Sequence, residues 1–198
     1  MPIEFRQFFL TFTIALERFQ RDCNFFIMAI TEKEIEQYVE KAVALFKEGY
    51  SCSQSVAGAY ADHYNTDFNL TVRIAASFGA GIGRMRETCG AACGMFILAG
   101  LECGSTDPKD AAAKGANYKV VQELAAEFKK ENGSLICAEL LGLRPMGSSP
   151  CSLDENCSKM TSPTPEARTE EYYKKRPCGE MVATAARIYG RYLMSLGK

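Results

Sequence analysis

Cysteine is the residue type through which this sequence is best equipped to do chemistry. The 198-residue chain contains nine cysteines, an odd number, together with one histidine and no tryptophan. Secreted disulfide frameworks usually combine an even number of cysteines with a shorter chain. We therefore expect reduced thiols in a cytoplasmic protein, where they could bind a soft metal or change oxidation state.

Four of these cysteines, Cys52, Cys89, Cys137 and Cys178, each fall at the beginning of a separate predicted helix. The free N–H groups and the positive dipole end of a helix favour a thiolate over a thiol. If a helical bundle brings these N-termini together, the four thiolates could hold an iron–sulfur cluster, hold another metal, or cycle between dithiol and disulfide. Packing is the alternative role for any one of them, because free cysteine is also a common small buried residue.

The spacing of the cysteines excludes several familiar sites. No two of them form a C-x-x-C pair, which removes the thioredoxin motif, c-type haem attachment and paired zinc knuckles. A closed zinc site of four thiolates stays open as a non-redox alternative. Cys93 lies one turn after Cys89 and is the fifth candidate metal ligand. His63 has no visible partner set, and we expect it at the surface or half-buried.

The distribution of charge argues against two classes of partner. The 23 basic and 24 acidic residues are spread along the chain and give a net charge of -1, so no patch for nucleic acid or an anionic membrane is visible. The apolar segment 89–102 is too short to span a membrane. No nucleotide site or acid–base pair accompanies the thiols, so we expect electron exchange with a partner protein.

Residues 1–28 form an N-terminal extension to one domain at 29–198. The apolar run 8–16 superficially resembles a secretory signal, but Glu4 offsets Arg6, and charged residues follow the run without a small-x-small cleavage site. We expect an additional amphipathic helix or an over-extended gene start. Cys23 belongs to this segment and receives no role.

The elements that must position the cysteines are predicted to be helices. Thr31 with Glu34 and Ser51 with Gln54 make capping boxes, so Cys52 should be the first residue of its helix. The whole pattern predicts an all-α, compact bundle of about six to eight helices, with a long irregular loop before the last two. Predicted helices cover 31–48, 51–64, 69–78, 89–102, 108–130 and 164–176, with others starting at 137 and 177. Val72 and Ile74 leave a strand as the alternative for 69–78.

The glycine-rich turn at 79–83 precedes the helix of Cys89. It could be taken for a phosphate cradle, but no dinucleotide or Gly-Lys-Ser/Thr fingerprint is completed, so we interpret it as a tight turn that aims the helix. Thr88 is expected to cap that helix, and Arg84 and Arg86 are expected to be solvated. Small residues at 90–94 should let another helix approach closely.

Residues 142–165 show no periodicity, contain four prolines and carry Cys151 and Cys157. A loop of this length in a compact domain is usually functional or a surface insertion. Both interpretations stay open: a segment pinned at the site or covering it, and an insertion without a role.

Several stretches resemble the family of redox-active proteins named for its C_GCAxxG_C_C cysteine pattern. They are 49–56 (GYSCSQSV), 88–94 (TCGAACG, with the form C-G-A-x-x-G), 137–141 (CAELL) and Cys178. The resemblance implies a mostly helical protein that binds a redox cofactor and is associated with transporter or oxidoreductase systems. It marks Cys52, Cys89, Cys137 and Cys178 as site residues. This chain also has features that the family's cysteine pattern does not include. They are residues 1–28 and the additional cysteines Cys23, Cys93, Cys103, Cys151 and Cys157.

Overall fold

The computed structural model describes residues 30–147 and 161–197, which contain eight α-helices, a short 3₁₀ helix and no β-strand. The predicted all-α class is therefore confirmed. The predicted N-terminal extension, Cys23, Cys151 and Cys157 lie outside the described residues. The helices are α1 (Glu32–Glu48), α2 (Cys52–Ala59), α3 (Phe68–Ala75) followed by the 3₁₀ turn Ala76–Phe78, α4 (Gly90–Cys103), α5 (Ala111–Asn132), α6 (Cys137–Leu140), α7 (Glu170–Lys175) and α8 (Cys178–Ser195).

The first two helices begin as their sequences predict. The Thr31 side chain accepts from the Glu34 amide, and the Glu34 carboxylate accepts from the Thr31 amide at 2.8 Å. Gly49 ends α1 in a left-handed conformation with φ of 112°, which a glycine adopts without strain.

A second capping box fixes the beginning of α2. Ser51 accepts from the Gln54 amide, while the Gln54 side chain accepts from the Ser51 amide at 2.9 Å. Cys52 is consequently the first helical residue, as predicted. The helix ends at Ala59, earlier than the predicted end near 64, and hydrogen-bonded turns continue the chain over 60–65.

α2 and α4 pack so closely that glycine is needed between them. A β-carbon added to Gly94 would stand 2.7 Å from Val56 Cβ and 3.0 Å from the Ser53 carbonyl oxygen. A β-carbon on Gly90 would meet the Phe78 carbonyl oxygen at 2.9 Å. The small residues of α4 thus serve the close helix packing that the sequence predicts.

α8 closes the bundle by packing against α1, α2, α4 and α5. The Tyr60 hydroxyl donates to the Ala186 carbonyl at 2.7 Å, which satisfies a polar group in the core between α2 and α8. The tyrosine ring also stacks on Tyr38 at 4.2 Å between centroids. The largest fully buried side chains are Tyr60, Tyr189, Phe46, Phe128, Ile35, Met95, Leu98 and Leu193. This core holds the helix N-termini in fixed relative positions.

The apolar faces of α4 and α5 differ from the sequence prediction. Leu101 is 48% exposed and Tyr118 is 63% exposed, whereas Leu124 and Phe128 provide the buried face of α5. α5 also begins later than predicted, because Asp110 accepts from the Ala113 amide at 2.8 Å and caps it there.

The predicted helix 164–176 is mostly wrong. Thr169 accepts from the Tyr172 amide and caps a helix that covers only Glu170–Lys175. Residues 162–169 are not helical. This leaves Glu166 on a non-helical segment beside the site described next.

Candidate functional site

A cavity of about 490 Å³ is lined by Cys52, Cys89, Cys137 and Cys178 together. Its wall also includes the glycine turn that precedes α4 and a segment near residue 165. The four cysteines that the sequence places at separate helix starts therefore share one cavity. All the cysteines in the described ranges are free thiols.

Three of these cysteines are the first residues of their helices, whereas Cys89 differs slightly from its prediction. Cys52, Cys137 and Cys178 begin α2, α6 and α8. Cys89 is the residue before α4, in the N-cap position, and makes no side-chain capping hydrogen bond. The prediction that Thr88 caps this helix is wrong, because Thr88 instead forms an isolated antiparallel bridge with Ile136.

Backbone hydrogen bonds around that bridge hold Cys89 and Cys137 beside each other. The Cys89 amide donates to the Leu135 carbonyl at 2.8 Å, and the Cys137 amide donates to the Glu87 carbonyl at 2.7 Å. Ser134 accepts from the Ile136 amide at 3.0 Å, which shapes the turn before α6. The starts of α4 and α6 are thereby fixed to one another.

The glycine turn packs against the beginning of α6. Gly81 has φ of 76°, and a β-carbon there would stand 2.6 Å from Cys137 Cβ. The same turn carries Arg84 and Arg86 with φ of 64° each, in the left-handed region. The turn therefore brings backbone close to a cysteine and directs two arginines toward the cavity that they line.

Cys52 and Cys178 are neighbouring thiols that act on each other's ionisation. The pKa of Cys178 is lowered to about 7, first because Cys52 donates a hydrogen bond to its sulfur, and further because Arg176 and Arg168 add positive charge. The pKa of Cys52 is raised, because the same hydrogen bond keeps it in the donor form and because it is buried. Cys178 is thus the thiolate of the pair, and Cys52 holds the proton.

Cys89 and Cys137 are neutral thiols at ordinary pH. Burial raises the pKa of Cys89 to about 12, although the amides of Ala91 and Ala92 partly oppose this by hydrogen bonding. Burial also raises the pKa of Cys137, against the positive charge of Arg86. The expectation that the helix start makes Cys89 a thiolate is therefore wrong, because desolvation outweighs the amide donors.

Charge on the Cys178 sulfur acts on the other three sulfurs. Ionised neighbours among them raise the pKa of Cys52, Cys89 and Cys137. Yet no group of three or more His, Cys, Asp or Glu side chains within the described ranges is arranged to hold a metal ion. Thiolate is the donor type for zinc or an iron–sulfur cluster, but the arrangement does not fit a preformed metal site.

Cys93 and Cys103 do not line the cavity. Cys93 is buried behind it, with its thiol 3.8 Å from the Thr88 carbonyl oxygen, and burial raises its pKa to about 11. Cys103 lies at the far end of α4, where its thiol donates to the Ala99 carbonyl at 3.2 Å. The structure thus separates the predicted fifth ligand, Cys93, from the wall that the four other cysteines share.

Four arginines line the same cavity, and the sequence interpretation missed their role. Arg86 is only 5% exposed, so the expectation that it is solvated is wrong; its side chain hydrogen bonds to the Cys137 sulfur. Arg168 donates to the Phe46 and Tyr50 carbonyls at 3.4 and 3.2 Å. Its guanidinium also stands 4.6 Å from the Phe46 ring centroid. The four arginines are Arg84, Arg86, Arg168 and Arg176.

The position of one arginine offered a signal in the sequence. Arg176 stands two residues before Cys178, so its charge was certain to lie near a helix-start cysteine. Arg168 and Glu166 carried no such signal, because they belong to a stretch without periodicity.

No helix in the described part of the chain combines the length and apolarity needed to cross a membrane.

A family model described as "Putative redox-active protein (C_GCAxxG_C_C)" matches residues 50–192. The match extends over most of the chain and includes all four cavity cysteines. No curated protein and no solved structure matches. The chain belongs to this redox-active family.

Proposed function

We propose that the protein transfers electrons by thiol–disulfide exchange, with Cys52 and Cys178 as its redox pair. The observation that supports this most is that Cys52 and Cys178 line the same open cavity and act directly on each other's ionisation, with the pKa of Cys178 lowered to about 7. Two thiols that are direct neighbours at one cavity wall need little movement to become a disulfide. A thiolate with a pKa near the ambient pH is also the most effective attacking group in this reaction.

The two thiols have different roles. The Cys178 thiolate attacks one sulfur of a disulfide, whose S–S bond breaks and releases one thiolate. Cys52 then gives its proton to that leaving thiolate and attacks the Cys178 sulfur, which releases the second thiolate. The substrate gains two electrons, and the protein becomes the Cys52–Cys178 disulfide.

Cys178 is suited to the attacking role by exposure as well as by charge. It is half-buried, whereas Cys52, Cys89 and Cys137 are buried. Substrate entering the cavity therefore reaches Cys178 more easily than the other three sulfurs. Cys52 is suited to the second step, because its raised pKa keeps it protonated until Cys178 has reacted.

The remaining parts of the function are also proposals. A partner protein of a transporter or oxidoreductase system returns the two electrons that the exchange consumes. A reducing cytoplasmic compartment would keep the pair as a dithiol between turnovers.

Binding of a soft metal or an iron–sulfur cluster is the second candidate function, because four sulfurs line one cavity. It would require side-chain movement, since the thiols are not grouped as ligands. We propose Cys52, Cys89, Cys137 and Cys178 as the ligands in that case, with Cys93 as an additional candidate. In a zinc protein the thiols would keep their oxidation state.

The two candidates are separated by one experiment on anaerobically purified full-length protein. Metal, sulfide and free-thiol contents are measured first. The protein is then treated with one equivalent of a thiol oxidant, and its disulfides are mapped by mass spectrometry. Exchange chemistry predicts loss of two thiols and a linked Cys52–Cys178 peptide that dithiothreitol reverses. Stoichiometric metal that protects all four thiols from oxidation would instead support the second candidate.

A further inference from the structure

Three arginines at the cavity converge on one oxygen of one carboxylate. Glu166 Oε1 stands 2.5 Å from the Arg176 guanidinium, 3.7 Å from that of Arg84 and 3.9 Å from that of Arg86. The three arginine side chains are 6% to 16% exposed, whereas the Glu166 side chain is 48% exposed. A nearly buried cationic cluster is therefore paired with the more accessible carboxylate of Glu166.

Among the described residues, three guanidiniums share the Glu166 carboxylate as an ion-pair partner. Arg168 adds a fourth guanidinium to the same cavity wall. Arg84 Nε is buried and has no hydrogen-bond partner among the described atoms. Grouping guanidiniums in this way is costly for folding, because each must leave water and like charges repel. Arginine clusters of this kind are typical of sites that bind carboxylates or other oxyanions.

Glu166 is held where it could be exchanged for another anion. It belongs to the non-helical segment 162–169, so its carboxylate is not part of a rigid helix. It is the more exposed member of each of these ion pairs, so a solute in the cavity reaches the Glu166 carboxylate before it reaches the guanidiniums. An incoming carboxylate could replace it without disturbing the helices that carry the cysteines.

Building on the proposed exchange function, we infer that Arg84, Arg86 and Arg176 bind a carboxylate of a small anionic disulfide, and that Glu166 occupies this position when substrate is absent. The cavity volume of about 490 Å³ suits a small molecule. Arg176 pairs with the carboxylate in this cluster and also acts electrostatically on Cys178. A carboxylate bound there and the attacking Cys178 sulfur would therefore both lie near Arg176.

The reaction with such a substrate balances without another reactant. A disulfide bearing two carboxylates takes two electrons from the Cys52–Cys178 dithiol. Its S–S bond breaks, one released group takes the Cys52 proton, the other leaves as a thiolate that water protonates, and one S–S bond forms in the protein. The arginines bind and orient the substrate without changing their own charge.

Matched disulfides test the preference for carboxylates. The probes are 3,3′-dithiodipropionate, which is anionic, bis(2-hydroxyethyl) disulfide, which is neutral, and cystamine, which is cationic. Their single-turnover rates with the fully reduced protein are measured at low ionic strength, each relative to its rate with free dithiothreitol. We expect the relative rate of the anionic probe, that is, its rate with the protein divided by its rate with dithiothreitol, to be at least tenfold higher than that of the neutral probe. Cystamine should have the lowest relative rate. Equal relative rates would overturn the inference while leaving the exchange function intact.

Variants locate the preference within the cavity. Arg84→Gln should lower the preference for the anionic probe severalfold, whereas Arg84→Lys should largely retain it. Glu166→Gln should increase the rate with the anionic probe more than the rate with the neutral probe. Lys174→Gln is the matched control, because it removes a cation that is 73% exposed and does not line this cavity. An identical loss in Lys174→Gln and Arg84→Gln would contradict a specific site.

A redox-inert anion separates this inference from the exchange function. Octanedioate resembles dithiodipropionate with two methylenes in place of the sulfurs, and its binding is measured by calorimetry. We expect Arg84→Gln to weaken its binding and Glu166→Gln to strengthen it, even if no disulfide exchange occurs. Binding without exchange would refute the proposed function alone. Binding that is absent, or unaffected by either substitution, would refute the carboxylate site.

Discussion

Removing the Cys52 thiol should make Cys178 a poorer nucleophile at neutral pH. The hydrogen bond that Cys52 donates is the largest cause of the lowered pKa of Cys178, which is about 7. Cys52→Ala removes that donor but leaves Arg168 and Arg176 beside the sulfur. Cys52→Ser is the matched variant, because its hydroxyl can still donate a hydrogen bond to the Cys178 sulfur.

The size of the effect follows from the ionised fraction. A hydrogen bond to a charged group contributes about 1.5–3 kcal/mol, so its loss should raise the pKa of Cys178 by at least about one unit. At pH 7 the thiolate fraction would fall from about one half to about one tenth, a fivefold loss of the reactive form. Cys52→Ser should lie between Cys52→Ala and the unmodified protein.

The assay is the pH dependence of alkylation at Cys178. The protein is treated briefly with iodoacetamide between about pH 5 and 10, and modification is quantified on the tryptic peptide 176–187, which contains no other cysteine. Because the pKa is lowered, the unmodified protein should keep its reactivity down to about pH 7. A midpoint that stays near 7 in Cys52→Ala would refute the role of the hydrogen bond.

Three further predictions concern packing and charge. Gly94→Ala should destabilise the fold by about 1–3 kcal/mol, as measured by thermal unfolding, because the added β-carbon would clash with Val56. Gly100→Ala is the control: the space around Gly100 is open, so this substitution should be neutral or stabilising in the same assay. Arg168→Met should lower the melting temperature and raise the alkylation midpoint of Cys178, because it removes hydrogen bonds to the Phe46 and Tyr50 carbonyls and a charge near the sulfur. An unchanged midpoint would argue against that charge. Burial raises the pKa of Cys89 to about 12, so its neutral form stabilises the fold below the unfolded thiol pKa of about 8.5, and this contribution is lost as the pH rises toward 12. The melting temperature should therefore fall less steeply between about pH 8.5 and 10.5 in Cys89→Ala, and equal slopes would contradict the shift.

Local signals in the sequence were sufficient for the helix starts that carry two of the cysteines, Cys52 and Cys178. The Ser51–Gln54 capping box places Cys52, and Pro177 precedes Cys178 at the beginning of α8. Such signals act over three or four residues, so one sequence is enough to recognise them. The small residues of α4 likewise predicted close helix packing, which Gly94 shows.

The electrostatics of the site could not be predicted in the same way. Cys89 has a favourable helix-start position, but its pKa depends on burial by elements that are distant in sequence. Arg86 appeared solvated because its burial comes from the fold of the glycine turn. Glu166 and Arg168 lie in a segment without periodicity, so only tertiary structure shows that they reach the cavity.

An equilibrium redox titration tests the central claim most directly. The protein is equilibrated anaerobically with glutathione buffers of graded potential, quenched with acid, and every cysteine is quantified by peptide mapping. The proposed pair predicts that Cys52 and Cys178 are oxidised together, as one linked peptide, along a single reversible two-electron curve. Cys178 carrying glutathione while Cys52 stays a free thiol across the whole range would contradict the assignment of these two residues as a redox pair.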